Sequence, residues 1–187
     1  MLFVKTEFKE MYISATERAK QMVEDGLYSR FNLSKEKRID KARIGCLGEI
    51  AFQRILQDCG IPYQVDEGDF SERNSDEFDF LINGKKVDIK VAKKSTPNLP
   101  SDRWTYGYPE QQNPSKKDFV VVGWVDFYNE EVGFYGWIRG NQISSFSVVK
   151  ENSFAKYGYL TPNHEFQWGA LNKDFYKLKN LIEGKMY

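Results

Sequence analysis

The segment Asp79-Phe-Leu-Ile-Asn-Gly-Lys-Lys-Val-Asp88-Ile89-Lys90 holds two aspartates and a lysine that a short β-hairpin would gather into one site. Asn83-Gly84 is the strongest short-range hairpin signal available, because both residues accept the positive φ of a two-residue turn. With that pair as the loop, Ile82 faces Lys85, Leu81 faces Lys86, Phe80 faces Val87 and Asp79 faces Asp88. Counting further sets Glu77 opposite Lys90. Phe78, Phe80, Ile82, Val87, Ile89 and Val91 then share an apolar face, while Glu77, Asp79, Asp88 and Lys90 share an ionised one. The same parity puts Asp79 and Asp88 on a non-hydrogen-bonded pair, with Cβ atoms about 4.5–5.5 Å apart. Carboxylates that close repel by roughly 3 kcal/mol at an effective dielectric of about 20. Either one carboxyl stays protonated or a hard cation bridges the two, and Mg²⁺ is commonly held by one or two carboxylates. Lys90 stands on the same face, positioned to stabilise charge developing beside such a metal.

A third acid, Glu49, interrupts the apolar run Ile44-Gly-Cys-Leu-Gly-Glu-Ile-Ala-Phe52. A charge among core residues needs a partner, since burying it alone is costly. Gly45 and Gly48 each weaken a helix by about 1 kcal/mol relative to Ala, so they are expected where another element approaches closely. A helix lying tightly on the hairpin would bring Glu49 to the Asp79–Asp88 pair.

At these residues the chain resembles the PD-(D/E)XK superfamily of restriction-endonuclease-like nucleases. Asp88-Ile89-Lys90 resembles the D/E-x-K element and Asp79 the preceding hairpin aspartate. Glu49, in Arg43-x-Gly-x-x-Gly-Glu49, resembles the helix glutamate of many members. Phe78 stands where the family name has proline. The resemblance covers about Arg43 to Lys94. It implies an α/β fold with a mixed central β-sheet flanked by helices, a restriction-endonuclease-like core. It also implies Mg²⁺, with Mn²⁺ as a substitute, held by Glu49, Asp79, Asp88 and the Ile89 carbonyl. Glu49, Asp79, Asp88 and Lys90 would be the catalytic set, the lysine assisting attack of water on a DNA phosphodiester.

Charge supports a nucleic-acid side. The chain is neutral overall, with 27 basic and 27 acidic residues, but Leu81–Lys117 carries eight basic residues against three acidic ones, whereas Asp58–Asp79 carries eight acids against Arg73. Arg43, Lys93 and Lys94 are the expected phosphate contacts, and strand alternation places Lys94 rather than Lys93 on the face of Lys90. Trp104, Tyr106 and Tyr108 either stack on exposed bases or pack under their own loop.

Composition removes several other chemistries. One histidine and no Cys-x-x-Cys pair leave zinc-ribbon, zinc-deaminase and HNH-type sites without ligands. Cys46 and Cys59 lie about 20 Å apart on one helix and cannot pair. His164 has no nucleophile elbow to serve, and P-loop and dinucleotide fingerprints are absent. No apolar run reaches the roughly 18–20 residues of a membrane span. A cytoplasmic protein with DNA as partner, no membrane contact and the homodimer left open is the expectation.

Helical spacing of Phe8, Tyr12, Ala15, Ala19 and Met22 predicts a first helix before Gly26, and Ser34 opens a second that runs to Leu56 and Gly60. Period-two strands follow at Tyr63–Asp66, Glu77–Ile82, Lys85–Ala92, Phe119–Val125 and Val132–Ile138. The continuous apolarity of Phe119–Val125 points to burial on both faces at the sheet centre. Ser95–Lys117 reads as a long loop, Gln142–Lys150 as ambiguous, Phe154–Gly169 as irregular, and Asn172–Glu183 as a last helix. One domain over 1–187 is expected, with a core of about 34–140, an N-terminal helix at 5–25 and a C-terminal addition at 141–187. Three functions remain open: a Mg²⁺-dependent deoxyribonuclease, a non-catalytic nucleic-acid-binding or assembly protein that kept the fold, and a metal phosphodiesterase acting on small nucleotides.

Overall fold

The computed structural model describes residues 1–65 and 78–185. Two long helices, α1 (Phe8–Glu24) and α2 (Lys35–Asp58), precede most of the strands. Ser34 caps α2 by accepting the Lys37 N–H, and Gly60 takes a positive φ of 64° just beyond its end, as the capping residues led one to expect.

The central sheet has six strands: β1 (Leu2–Val4), β2 (Gln64–Val65), β3 (Phe80–Ile82), β4 (Lys85–Lys93), β6 (Phe119–Asp126) and β7 (Glu131–Arg139), in the order β1-β7-β6-β4-β3-β2. Only β4 and β6 run parallel, so the sheet is mixed. Every residue of β6 is buried, in keeping with its continuous apolarity. The β3–β4 hairpin turns at Asn83 and Gly84, both at positive φ, and pairs Ile82 with Lys85, Leu81 with Lys86 and Phe80 with Val87.

The two faces of this sheet are covered differently. Phe80, Ile82, Val87, Ile89, Phe119 and Val121 pack against α1, α2 and α4 (Phe175–Glu183). Val120, Val122 and Trp124 instead meet a second sheet of three strands, ordered β5-β9-β8, built from β5 (Thr105–Pro109), β8 (Val148–Glu151) and β9 (Gly158–Gln167). A short helix α3 (Gly140–Ile143) joins that side through Ile143.

Helices α1, α2 and α4 therefore lie on one face, and strands take most of the face where helices were also expected. The supposed loop Ser95–Lys117 holds β5 and two 3-10 turns, and the supposedly irregular Phe154–Gly169 holds β9. Both segments lack clean alternation because Gly107, Pro109 and Pro162 interrupt it. Their mutual pairing, Tyr106 with Phe166 and Tyr108 with His164, supplies the hydrogen bonds that local pattern did not announce.

Candidate active site

Asp88 and Lys90 project from β4 toward the second sheet, in register with Val120 and Val122 of β6. Asp88 is 3% exposed, and both its oxygens are engaged. Lys90 Nζ donates to Oδ1 at 2.9 Å, and the Tyr108 hydroxyl donates to Oδ2 at 2.7 Å. The Lys90 ammonium also lies 5.6 Å from the centre of the Tyr108 ring. A buried carboxylate with two donors is stable where a lone one is not.

Asp79 departs from the hairpin ladder. Pairing ends at Phe80 and Val87, and Asp79 forms a bend whose own N–H reaches the Val87 carbonyl at 3.1 Å. Its carboxylate turns to β4 and accepts the Ile89 N–H at 2.6 Å, taking the place a strand carbonyl would occupy. The expected cross-strand rung between Asp79 and Asp88 is thus replaced by a side-chain contact to the next backbone amide. In an extended strand one residue's N–H and C=O point to the same side, so the Ile89 carbonyl faces the edge on which Asp79 sits. Phe78, expected in the core, stays outside it with the Lys86 ammonium 5.9 Å from its ring. The rung between Glu77 and Lys90, and most of the acidic stretch before Asp79, lie outside the described residues.

Glu49 comes from α2, which is brought close to β4 by Gly48: a Cβ there would stand 2.6 Å from a Val91 methyl carbon. Gly45 has no neighbour within 4 Å of such a Cβ, so the close approach belongs to Gly48 alone. The carboxylate of Glu49 is paired with Arg18 of α1 at 2.7 Å. It still acts on Asp79, which lies within electrostatic reach of Asp88, Lys90 and Glu49 together. Groups from both faces of the sheet therefore converge where β3 stops.

The charges of this cluster fall into opposing roles. Burial, followed by the Asp88 charge, holds the Asp79 carboxyl well above the usual carboxylate range. Burial pushes Asp88 the same way, but Lys90 and Lys117 outweigh it and keep Asp88 below its ordinary value. Burial also opposes the Lys90 charge, and Asp88 with Asp79 overcomes it, so Lys90 remains a cation well past neutrality. Lys90 in this state is a source of positive charge and not a base. Three acids, Glu49, Asp79 and Asp88, are thus answered by Arg18, Lys90 and Lys117. These cations relieve the repulsion only in part: the Asp88 charge, with Glu49, still raises Asp79 and favours a proton on its carboxyl.

Asp79, Asp88 and the Ile89 carbonyl are hard-oxygen donors of the kind Mg²⁺ takes, but Asp79 is engaged by the Ile89 N–H and Asp88 by Lys90 and Tyr108. Among the described residues, no group of three or more His, Cys, Asp or Glu side chains stands together in a way that could hold a metal ion. Glu49 belongs to Arg18 and would have to exchange that partner to join.

Of the expected phosphate contacts, Lys93 is exposed, with its ammonium 5.5 Å from the Phe127 ring. Lys94 is placed otherwise than strand alternation suggested. Its side chain is 6% exposed and pairs at 2.7 Å with Asp126, itself 5% exposed, so its charge is consumed inside the fold. Arg43 pairs with Asp40 and lies over the Tyr12 ring at 4.8 Å, away from the acidic cluster. Trp104 packs edge-on against Trp168, and Tyr108 is fully buried. Sequence reasoning counted Lys117 in the basic segment read as the nucleic-acid side, whereas it acts on Asp88, and it passed over Arg18, which has no signal beyond its helix position.

No protein-family model matches the chain, and no curated protein or solved structure matches it. Among the described residues no helix is long and apolar enough to cross a membrane.

Proposed function

We propose that the protein is a Mg²⁺-dependent deoxyribonuclease that hydrolyses DNA phosphodiester bonds at the Asp79, Asp88 and Lys90 cluster. The observation that carries this reading is the Lys90 ammonium, 2.9 Å from the buried Asp88 carboxylate and kept protonated by Asp88 and Asp79, on the strand whose Ile89 N–H is held by Asp79. The likeness of Glu49, Asp79 and Asp88-Ile89-Lys90 to the PD-(D/E)XK pattern supports it further. Asp88 holds Lys90 in place, Tyr108 holds Asp88, and Lys90 stabilises negative charge that grows on the phosphate oxygens during attack. Mg²⁺, held by Asp79, Asp88 and the Ile89 carbonyl, would supply Lewis-acid polarisation of the same phosphate. Lys93 supplies a charge for the DNA backbone outside the site.

A second reading, a non-catalytic nucleic-acid-binding or assembly protein, draws on one observation: Glu49 and Asp88 are already paired inside the protein, with Arg18 and Lys90. The test is incubation with circular and linear DNA in Mg²⁺, Mn²⁺ or EDTA, comparing the wild type with Asp88→Ala. Cleavage that needs the metal and Asp88 is the expected result. Cleavage absent from the wild type in both metals would favour the binding protein.

A further inference from the structure

A cavity of about 410 Å³ lies where β7 ends beside α3 and α4, and its walls carry hydrogen-bond donors and no carboxylate among the described residues. Arg139 lines it from the last position of β7 and Lys177 from the first turn of α4. Both are exposed, and among the described residues neither forms an ion pair. The guanidinium is backed by the Phe119 ring, 5.3 Å from its centre. Two amides line the same cavity with their oxygens already engaged. Gln142 Oε1 accepts the Arg139 N–H at 3.2 Å, and Asn172 Oδ1 accepts the Asp174 N–H at 2.9 Å. A backbone N–H meets only the oxygen of such an amide, so each side chain keeps its NH₂ to donate elsewhere. Asn172 is itself fixed by two backbone hydrogen bonds with Trp137, of 2.9 and 2.8 Å. Asp174 does not line the cavity and accepts the Lys177 N–H as the cap of α4.

We propose that Arg139, Gln142, Asn172 and Lys177 form a binding site for a phosphate group carried on an organic ligand. Four donor side chains from four segments suit an anion whose oxygens point in different directions, a tetrahedral phosphate rather than a planar carboxylate. The volume falls within the range of about 300–1,000 Å³ that takes whole small molecules, and Leu171 and Leu181 add an apolar wall, so there is room for the group that bears the phosphate. A nucleotide and a nucleic-acid strand present the same chemistry, one as a monoester and the other as a diester. The site does not rest on the nuclease reading. Arg139 pairs with Phe119 and Trp137 with Val121, on the face of the sheet that the long helices cover, whereas Asp88 and Lys90 stand on the other face.

The test is calorimetric titration in EDTA with thymidine monophosphate, thymidine, and an oligothymidylate that lacks terminal phosphates. The wild type should bind the monophosphate at least about tenfold more tightly than thymidine, the scale of one charge-assisted hydrogen bond. Arg139→Gln and Lys177→Gln should each weaken that binding by roughly tenfold, and Arg139→Lys should restore only part of it, because the ammonium lacks the guanidinium fork. Lys90→Ala should leave it unchanged. Oligothymidylate affinity that falls in the same two glutamine variants keeps the site and makes a nucleic-acid backbone its ligand. Oligothymidylate affinity that does not change in them, with the monophosphate loss intact, keeps the site and makes a free phosphomonoester its ligand. Monophosphate bound no better than thymidine, or bound equally by the wild type and both glutamine variants, overturns the site. A loss confined to Lys90→Ala also overturns it and moves the phosphate to the opposite face of the sheet.

Discussion

Asp79 ionises against the interest of the fold, since burial and the neighbouring Asp88 raise its pKa. A carboxyl with a folded-state pKa above its unfolded value contributes stability at low pH and loses it as pH rises through the folded value. Asp79→Asn, which can still accept the Ile89 N–H, should therefore raise the unfolding temperature at pH 7 and change it little near pH 3; equal shifts at both values would remove this account. Asp126 titrates in the opposite sense. Burial disfavours the Asp126 charge, but the bonds from Lys94 and Asn129 overcome it and lower its pKa to about 2, so the pair's stability is present above the ordinary carboxylate range and vanishes as pH falls through about 2. Lys94→Met should cost stability at neutral pH and little near pH 2, as thermal unfolding at the two values would record. On the nuclease reading, Lys90 belongs to the chemistry. Lys90→Ala should lower kcat steeply while leaving DNA affinity nearly intact, whereas Lys93→Ala should weaken binding and reduce its log–log salt slope by about one. Equal losses of affinity in the two variants, with turnover of bound DNA unchanged, would make Lys90 another phosphate contact.

Helix α2 and strand β4 are held at the distance that Gly48 permits. Gly48→Ala gains helix propensity but drives a methyl into Val91, and overpacking of this kind costs about 1–3 kcal/mol. Because Glu49 is the next residue, moving α2 away from β4 also moves Glu49 relative to Asp79, so activity should fall beyond what the loss of stability explains. Gly45→Ala meets nothing within 4 Å and should stabilise the helix by up to about 1 kcal/mol. Chemical denaturation of both variants beside a cleavage assay checks the pair: identical effects would mean that α2 does not press on β4 through Gly48. The hairpin is specified just as locally. Asn83-Gly84 set the register from Ile82–Lys85 to Phe80–Val87, and only beyond that rung does Asp79 leave it.

The whole molecule joins two sheets through one shared core, and the candidate site lies where that junction meets the end of β3. Tyr108 reaches Asp88 because β5 belongs to the second sheet, so the site depends on contacts between strands far apart in the chain. Mg²⁺ binding to the folded state alone should stabilise the entire domain by mass action, about 2.7 kcal/mol at a hundred times its Kd. For a chain of this size that amounts to a rise of roughly 5–10 °C in unfolding temperature. EDTA should reverse the rise and Asp79→Asn should abolish it. The same rise in Asp79→Asn would locate the metal elsewhere.

Elements whose pattern repeats locally were legible before any coordinates. α1 and α2 follow from helical spacing and caps, β6 from unbroken apolarity, and the hairpin from Asn83-Gly84, since each depends on residues within a few positions of one another. Strand parity, a local signal as well, put Asp88 and Lys90 on one face, where they meet at 2.9 Å, but it did not foresee that Asp79 leaves the ladder to hold the Ile89 N–H. Tertiary structure alone decided that β5 is a strand, because the hydrogen bonds that make it so run to β9, more than fifty residues away, while β9 is also held by the nearer β8. It alone gave Lys94 to Asp126, Glu49 to Arg18, and Asp88 to Lys117 and Tyr108. A buried charge takes whichever partner the fold brings within reach, and in a chain with equal numbers of acids and bases spacing does not name that partner.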